Sequence, residues 1–185
     1  MEQSEIQKYI DTINNGSDDD AREEAVKLLG KVGPDAIEAV PTLIEAIKED
    51  ALCWEAINAL GNIGGKAAMN ALCDALLNDS DMGVRFRAAS SLGKIQDKEA
   101  VPALIKALSD RDEYVRESAA YALGKIGDKR ATNALDAALN DRVEFVSKAA
   151  KKALNLIKTY NNKEASEVDK TVNEVMQKKW WQFWK

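Results

Sequence analysis

The chain has 185 residues, with 26 Lys and Arg against 31 Asp and Glu, and it contains no histidine. One domain is expected at this length, and a formal charge of −5 argues against a general nucleic-acid binder. The lack of histidine removes Ser–His and Cys–His nucleophile pairs, histidine-ligated metals and the commonest general base together.

The first helix is predicted over residues 3–15, with Ile6, Tyr9, Ile10 and Ile13 on one stripe. Asn14-Asn15-Gly16 breaks it, and Ser17 to Asp20 offer a cap and dipole-favourable acids to a second helix over about 21–32. Gly33-Pro34 closes this unit. The string Leu29-Gly30-Lys31-Val32 then recurs as Leu60-Gly61-Asn62-Ile63, Leu92-Gly93-Lys94-Ile95 and Leu123-Gly124-Lys125-Ile126. Its glycines step by 31, 32 and 31 residues, and a further 31 on stands Leu154-Asn155-Leu156-Ile157. A fixed period in this range means a stacked array, in which each unit is too short to bury its apolar face alone.

The units fall at about 3–33, 34–64, 66–96, 98–127 and 129–160. Gly33, Gly64 and Gly127 sit where a left-handed residue would close the second helix. The earlier glycine of each string lies inside a helix, where it costs about 1 kcal/mol against alanine. Its place is explained if the next unit's helix packs closely there. Unit two is irregular, with two extra residues before Pro41. Pro41 and Pro102 are expected near the first turns of their helices. In unit five Asn155 and Lys158 replace both glycines, so its helix is expected to run to Tyr160 and to break at Asn161-Asn162. Residues 163–185 form a separate segment: a thin apolar stripe of Ala165, Val168, Val172, Val175 and Met176, then Trp180, Trp181, Phe183 and Trp184.

Charge is unevenly spread. Residues 1–83 hold 6 Lys/Arg and 17 Asp/Glu, whereas residues 84–185 hold 20 and 14, so an elongated array has an acidic and a basic end. There is no secretory signal pattern and no apolar run long enough to span a bilayer; the expected location is cytoplasmic. Cys53 and Cys73, without a Cys-x-x-Cys, are expected to be small buried hydrophobes. Asp79 to Gly83 has a faint calcium-loop look, but Ser90 stands where the distal glutamate is needed, so a turn is expected. Each Gly-x-x-Gly ends a helix rather than starting one, so none forms a phosphate loop. No cofactor site is expected.

Asp-x-x-Val-Arg at Asp81 to Arg85 and at Asp112 to Arg116, Ala-Val-Pro-Ala-Leu-Ile at Ala100 to Ile105, and Leu-Gly-Lys-Ile-Gly at Leu123 to Gly127 together resemble HEAT repeats. They are most similar to the short HEAT-like units of phycobilisome lyases, over about residues 3–160. The resemblance implies an all-α, right-handed α-α superhelix of about five helical hairpins. It also implies that Arg22, Arg85 and Arg116 bridge to acidic turns of neighbouring units, in preference to forming an anion site. Because Cys53 and Ser147 take the arginine position in the other units, those joints are expected to be looser or differently packed. The histidine-iron chemistry of hydroxylases built on similar repeats is excluded by composition.

In such arrays the helix carrying Val-Arg lines the concave side. The positions left open by the buried stripe of unit four are Tyr114, Glu117, Ser118, Tyr121 and Lys125. Aligning the other units on the glycine adds Trp54, Phe86, Arg87, Lys94, Phe145, Lys148 and Lys152. Aromatic rings beside cations have the composition of an interface. The expected function is a non-catalytic scaffold or adaptor that binds a protein or peptide on this face. A bilin lyase or tetrapyrrole-handling subunit is the alternative the resemblance implies. Nucleic acid ranks lower, because the first half is acidic. Trp180, Trp181, Phe183 and Trp184 are expected to dock on a protein, with self-association or weak membrane-surface contact as further readings.

Overall fold

The computed structural model describes the backbone of residues 3–183 and the side chains of residues 3–163. Helices α1 (Gln3–Asn15) and α2 (Asp19–Val32) form the first hairpin. They are followed by α3 (Val40–Ala46) with α4 (Cys53–Ile63), α5 (Lys66–Asn78) with α6 (Met82–Ile95), and α7 (Val101–Ala107) with α8 (Glu113–Ile126). The last pair is α9 (Thr132–Ala138) with α10 (Glu144–Phe183). No strand occurs among the described residues.

The local chemistry explains the starts and stops. Asp18, Asp81 and Asp112 cap α2, α6 and α8, each accepting from a backbone N–H of the first turn. Pro41 and Pro102 occupy the first turns of α3 and α7. Gly127 closes α8 in the left-handed conformation at φ 74°, ψ 10°. Gly33 and Gly64 also have positive φ, but with ψ of −140° and −156° they turn the chain outward instead of forming the expected left-handed cap. At α6 the left-handed position is taken by Gln96, whose amide donates to the Lys125 carbonyl of the next unit.

Two further features depart from the sequence reading. A 3₁₀ segment precedes the first helix of units two, four and five, over Gly33–Ala39, Lys98–Ala100 and Lys129–Ala131. Asp97 and Asp128 nucleate the latter two by accepting from Glu99 and Arg130 N–H. The break expected at Asn161-Asn162 is not there, because α10 runs unbroken to Phe183. The Asn161 amide donates back to the Ile157 carbonyl one turn earlier. Asparagine's helix penalty of about half a kcal/mol is too small to end a helix that continues into Lys163-Glu164-Ala165.

One continuous core runs through the stack, from Ile6 and Ile10 to Ala153 and Ile157. The second helices make an unbroken layer in which α2 packs on α4, α4 on α6, α6 on α8 and α8 on α10, more closely than the first helices pack on one another. Glycine makes this possible. A Cβ on Gly30 would stand 3.1 Å from Ala59 Cα, on Gly93 3.0 Å from Ala122 Cα, and on Gly124 2.8 Å from Ala153 Cα. At Gly61 the facing residue is Ser91, whose Cβ would be 2.6 Å away. The second helices therefore form the tightly spaced layer of the stack.

Candidate functional site

The layer of second helices is tied together by ion pairs that reach from unit to unit. The Arg85 guanidinium donates twice to Asp110, at 2.8 and 2.9 Å, and also to the Asp79 and Ser80 carbonyls. Arg116 repeats this one unit on, donating to Asp141 at 2.7 and 3.1 Å and to the Asp110 and Arg111 carbonyls. These bidentate partners are almost fully buried. Burial alone would raise the Asp110 carboxyl, but hydrogen bonds from Arg85 and the Asp112 amide hold it below its ordinary value. The hydrogen bond from Arg116 does the same for Asp141. Arg22 makes a thinner version, with one contact to Glu49 at 2.7 Å and one to the Ile13 carbonyl. The arginines are therefore struts and not an anion site.

At the joint between units two and three the strut is missing. Cys53 occupies its place, and burial with the nearby Asp79 and Asp81 charges pushes its thiol up to about 11. Cys73 is also a free thiol, raised by burial to about 11. Asp79 and Asp81 accept backbone amides of Asp81 and Gly83, so the segment resembling a calcium loop is a capped turn. Trp54 spans this joint instead, with the Arg87 guanidinium 4.5 Å from its ring centroid.

The aromatic positions on the second helices remain open. Trp54 is 51% exposed, Tyr114 50%, and Phe86 and Tyr121 38% each. Phe145 is half-buried and stacks on Tyr114, with ring centroids 5.4 Å apart. Lys152 lies 5.8 Å from the centroid of the Tyr121 ring. Phe86 and Tyr121 come together with Lys125 and Leu156 in a cleft of about 370 Å³ between α6, α8 and α10. Lys94 donates to Asn62 of the preceding unit, and Lys148 pairs at 2.6 Å with Glu144, one turn back on its own helix. Ser118, expected in the open, is buried and donates to the Phe86 carbonyl of the preceding unit. A small polar side chain fits where a helix from the next unit approaches. The docking residues Trp180, Trp181, Phe183 and Trp184 lie outside the residues whose side chains are described.

Beside this cleft is a second, of about 600 Å³, lined by Lys98, Lys125, Lys129, Arg130 and Tyr160 among others. Sequence reasoning named its Lys125 but missed Lys98 and Lys129, which come from the turns after α6 and α8 and not from a helix face. The signal was nonetheless present: Asp97-Lys98 and Asp128-Lys129 stand at equivalent positions 31 residues apart. Among the described residues no cluster of Cys, Asp or Glu could hold a metal ion, and no helix is long and apolar enough to cross a membrane.

Stacked helical hairpins with one layer of glycine-spaced helices define an α-solenoid. A family model of HEAT repeats matches residues 6–93 and 69–155, and the chain belongs to the HEAT-repeat family. Comparison with curated proteins gives no significant match. Among solved structures, the CpcE–CpcF complex of phycocyanin lyase from Nostoc is similar at 22% identity and a TM-score of 0.64, covering 82% of this chain and 99% of that one. Human deoxyhypusine hydroxylase is similar at 23% identity and a TM-score of 0.60, covering 83% and 74%. A designed armadillo repeat protein in complex with the peptide (KR)4 is similar at 20% identity and a TM-score of 0.60, covering 82% and 85%. At these identities the likeness is one of fold.

Proposed function

We propose that this chain is a non-catalytic interaction scaffold that holds a peptide segment or protein surface against its second helices. The observation that carries this reading is the open cleft formed by Phe86, Tyr121, Lys125 and Leu156. Solvated helix faces carry Lys and Glu at such positions, whereas exposed rings next to cations are the anchors of interfaces. Trp54 with Arg87 and Tyr114 with Phe145 extend the same composition along the array. The designed armadillo protein, similar in fold, has a peptide as its partner. The side chains are already positioned by the stack, so binding needs little ordering of the scaffold.

Panning a random peptide display library on the full chain tests the reading. Peptides enriched on the native protein are expected to be lost on a Phe86→Ala/Tyr121→Ala variant of unchanged circular dichroism. Enrichment of the same peptides on both proteins would reject this face as the binding surface. Mixing the chain with a bilin is expected to leave the pigment's absorbance unchanged; a shifted band would support the tetrapyrrole reading instead.

A further inference from the structure

The apolar cleft and the cationic cleft meet at one residue. Lys125 lines both, with Phe86, Tyr121 and Leu156 on one side and Lys98, Lys129 and Tyr160 on the other. Arg130 is engaged by Asp128 and by the Lys98 carbonyl, and Asp128 is spent on Arg130. No carboxylate lies within ion-pair distance of Lys98, Lys125 or Lys129 among the described residues. Lys125 sits in the last turn of α8, where it complements the helix dipole. That explanation does not extend to Lys98 and Lys129, which begin the 3₁₀ turns beyond α6 and α8. Lys98 lies in the field of Asp128, and Glu117 lines the apolar cleft, but Lys125 and Lys129 face the clefts without a carboxylate at ion-pair distance, in a chain whose net charge is −5.

We infer that the groove selects an acidic peptide with an apolar anchor, a specificity that rests on the scaffold reading above. A bulky apolar side chain of the ligand occupies the cleft of Phe86, Tyr121 and Leu156. The adjoining Asp or Glu residues pass over Lys125 into the field of Lys98 and Lys129. Carboxylates suit three separate ammonium groups, each a point charge with freely rotating donors. A long phosphodiester strand is disfavoured, since it would run from this cleft onto the acidic units, where residues 1–83 carry 17 Asp and Glu. A basic peptide, such as the one bound to the designed armadillo protein, would be repelled.

Fluorescence anisotropy on the full chain tests this with three labelled probes: Leu-Leu-Asp-Asp-Asp-Asp, Leu-Leu-Asn-Asn-Asn-Asn, and a short oligo-dT. The aspartate probe is expected to bind best, and more weakly as salt is raised. Lys98→Glu/Lys129→Glu, at two exposed turn positions, is expected to weaken it on the order of tenfold, from removed and reversed surface pairs. The same variant should leave the asparagine probe unchanged. Equal binding of the two peptides, with both weakened by Phe86→Ala/Tyr121→Ala, would overturn the acidic specificity while the groove stands. Failure of either peptide to bind, while panned peptides still depend on Phe86 and Tyr121, would overturn it as well. If panning also fails, the scaffold reading falls with it. Tighter binding of oligo-dT than of the aspartate probe would overturn it in favour of a nucleic-acid groove.

Discussion

At the joints joining units three to four and four to five, a buried arginine reaches across and grips an aspartate with two hydrogen bonds. At the joint joining units two and three, a cysteine stands in that position, and Asp79 keeps the turn amide that Asp110 and Asp141 also accept but has no guanidinium from the preceding unit. Yet α4 and α6 remain in close register, because Gly61 lies against Ser91 and the Ser91 hydroxyl donates to the Ile57 carbonyl. The difference separates two jobs that coincide elsewhere in the array. Close helix approach sets the spacing of units; the arginine strut adds rigidity and pins the acidic turn. A joint without the strut keeps its spacing and gives up the pinning.

The largest effect is expected from Arg116→Ala. It leaves Asp141 buried without its partner and strips donors from two carbonyls, costing about 3 kcal/mol. Urea denaturation measures it, and a loss below 1 kcal/mol would make the strut incidental. The same joints should fail first in acid. Asp110 and Asp141 titrate below the ordinary 3.8 in the folded chain. Their contribution is therefore complete above the unfolded value of about 3.9 and disappears as pH falls through the depressed folded value. Hydrogen exchange below about pH 4 is expected to open α8 and α10 against one another while the joint at Cys53 is unaffected by this route.

Gly124→Val should follow, at about 2 kcal/mol, since the added carbons meet the Ala153 backbone, which cannot yield as a flexible side chain would. Thermal unfolding reads it directly, and a neutral result would mean the two helices can part at no cost. In the opposite direction, Cys53→Arg supplies the absent strut opposite Asp79 and is expected to stabilise by about 1 kcal/mol. Unchanged or lower stability would show that this joint is built for its smaller side chain. Smallest is Trp54→Ala, which removes the stack on Arg87 at about 0.5 kcal/mol, visible in a urea titration run beside native protein.

Much of this was readable in the residues, for identifiable reasons. Close helix approach has nearly one chemical solution, so the glycines announced both the period and the packing surface. The cap offered by Ser17 to Asp20 was recognisable and is Asp18, and the arginine positions declared their struts and their gap at Cys53. What escaped was non-periodic. The turns starting at Asp97 and Asp128 are too short for a pattern, so Lys98 and Lys129 were not seen as neighbours of the groove. Ser118 was misplaced because the period of one helix leaves it open, whereas the helix of the preceding unit covers it. The Asn161-Asn162 pair overstated its effect, since two mildly unfavourable residues cannot stop a helix whose flanking backbone stays helical on both sides.

The contact surface that Gly30, Gly61, Gly93 and Gly124 present has no fifth copy, since Asn155 stands at that place on α10 and its side chain is exposed. Any further helix laid there would have to sit farther out than its predecessors and could not inherit their spacing. A single side chain thus changes the spacing available on this face of α10. Restoring glycine at that position removes the obstacle to growth end on end.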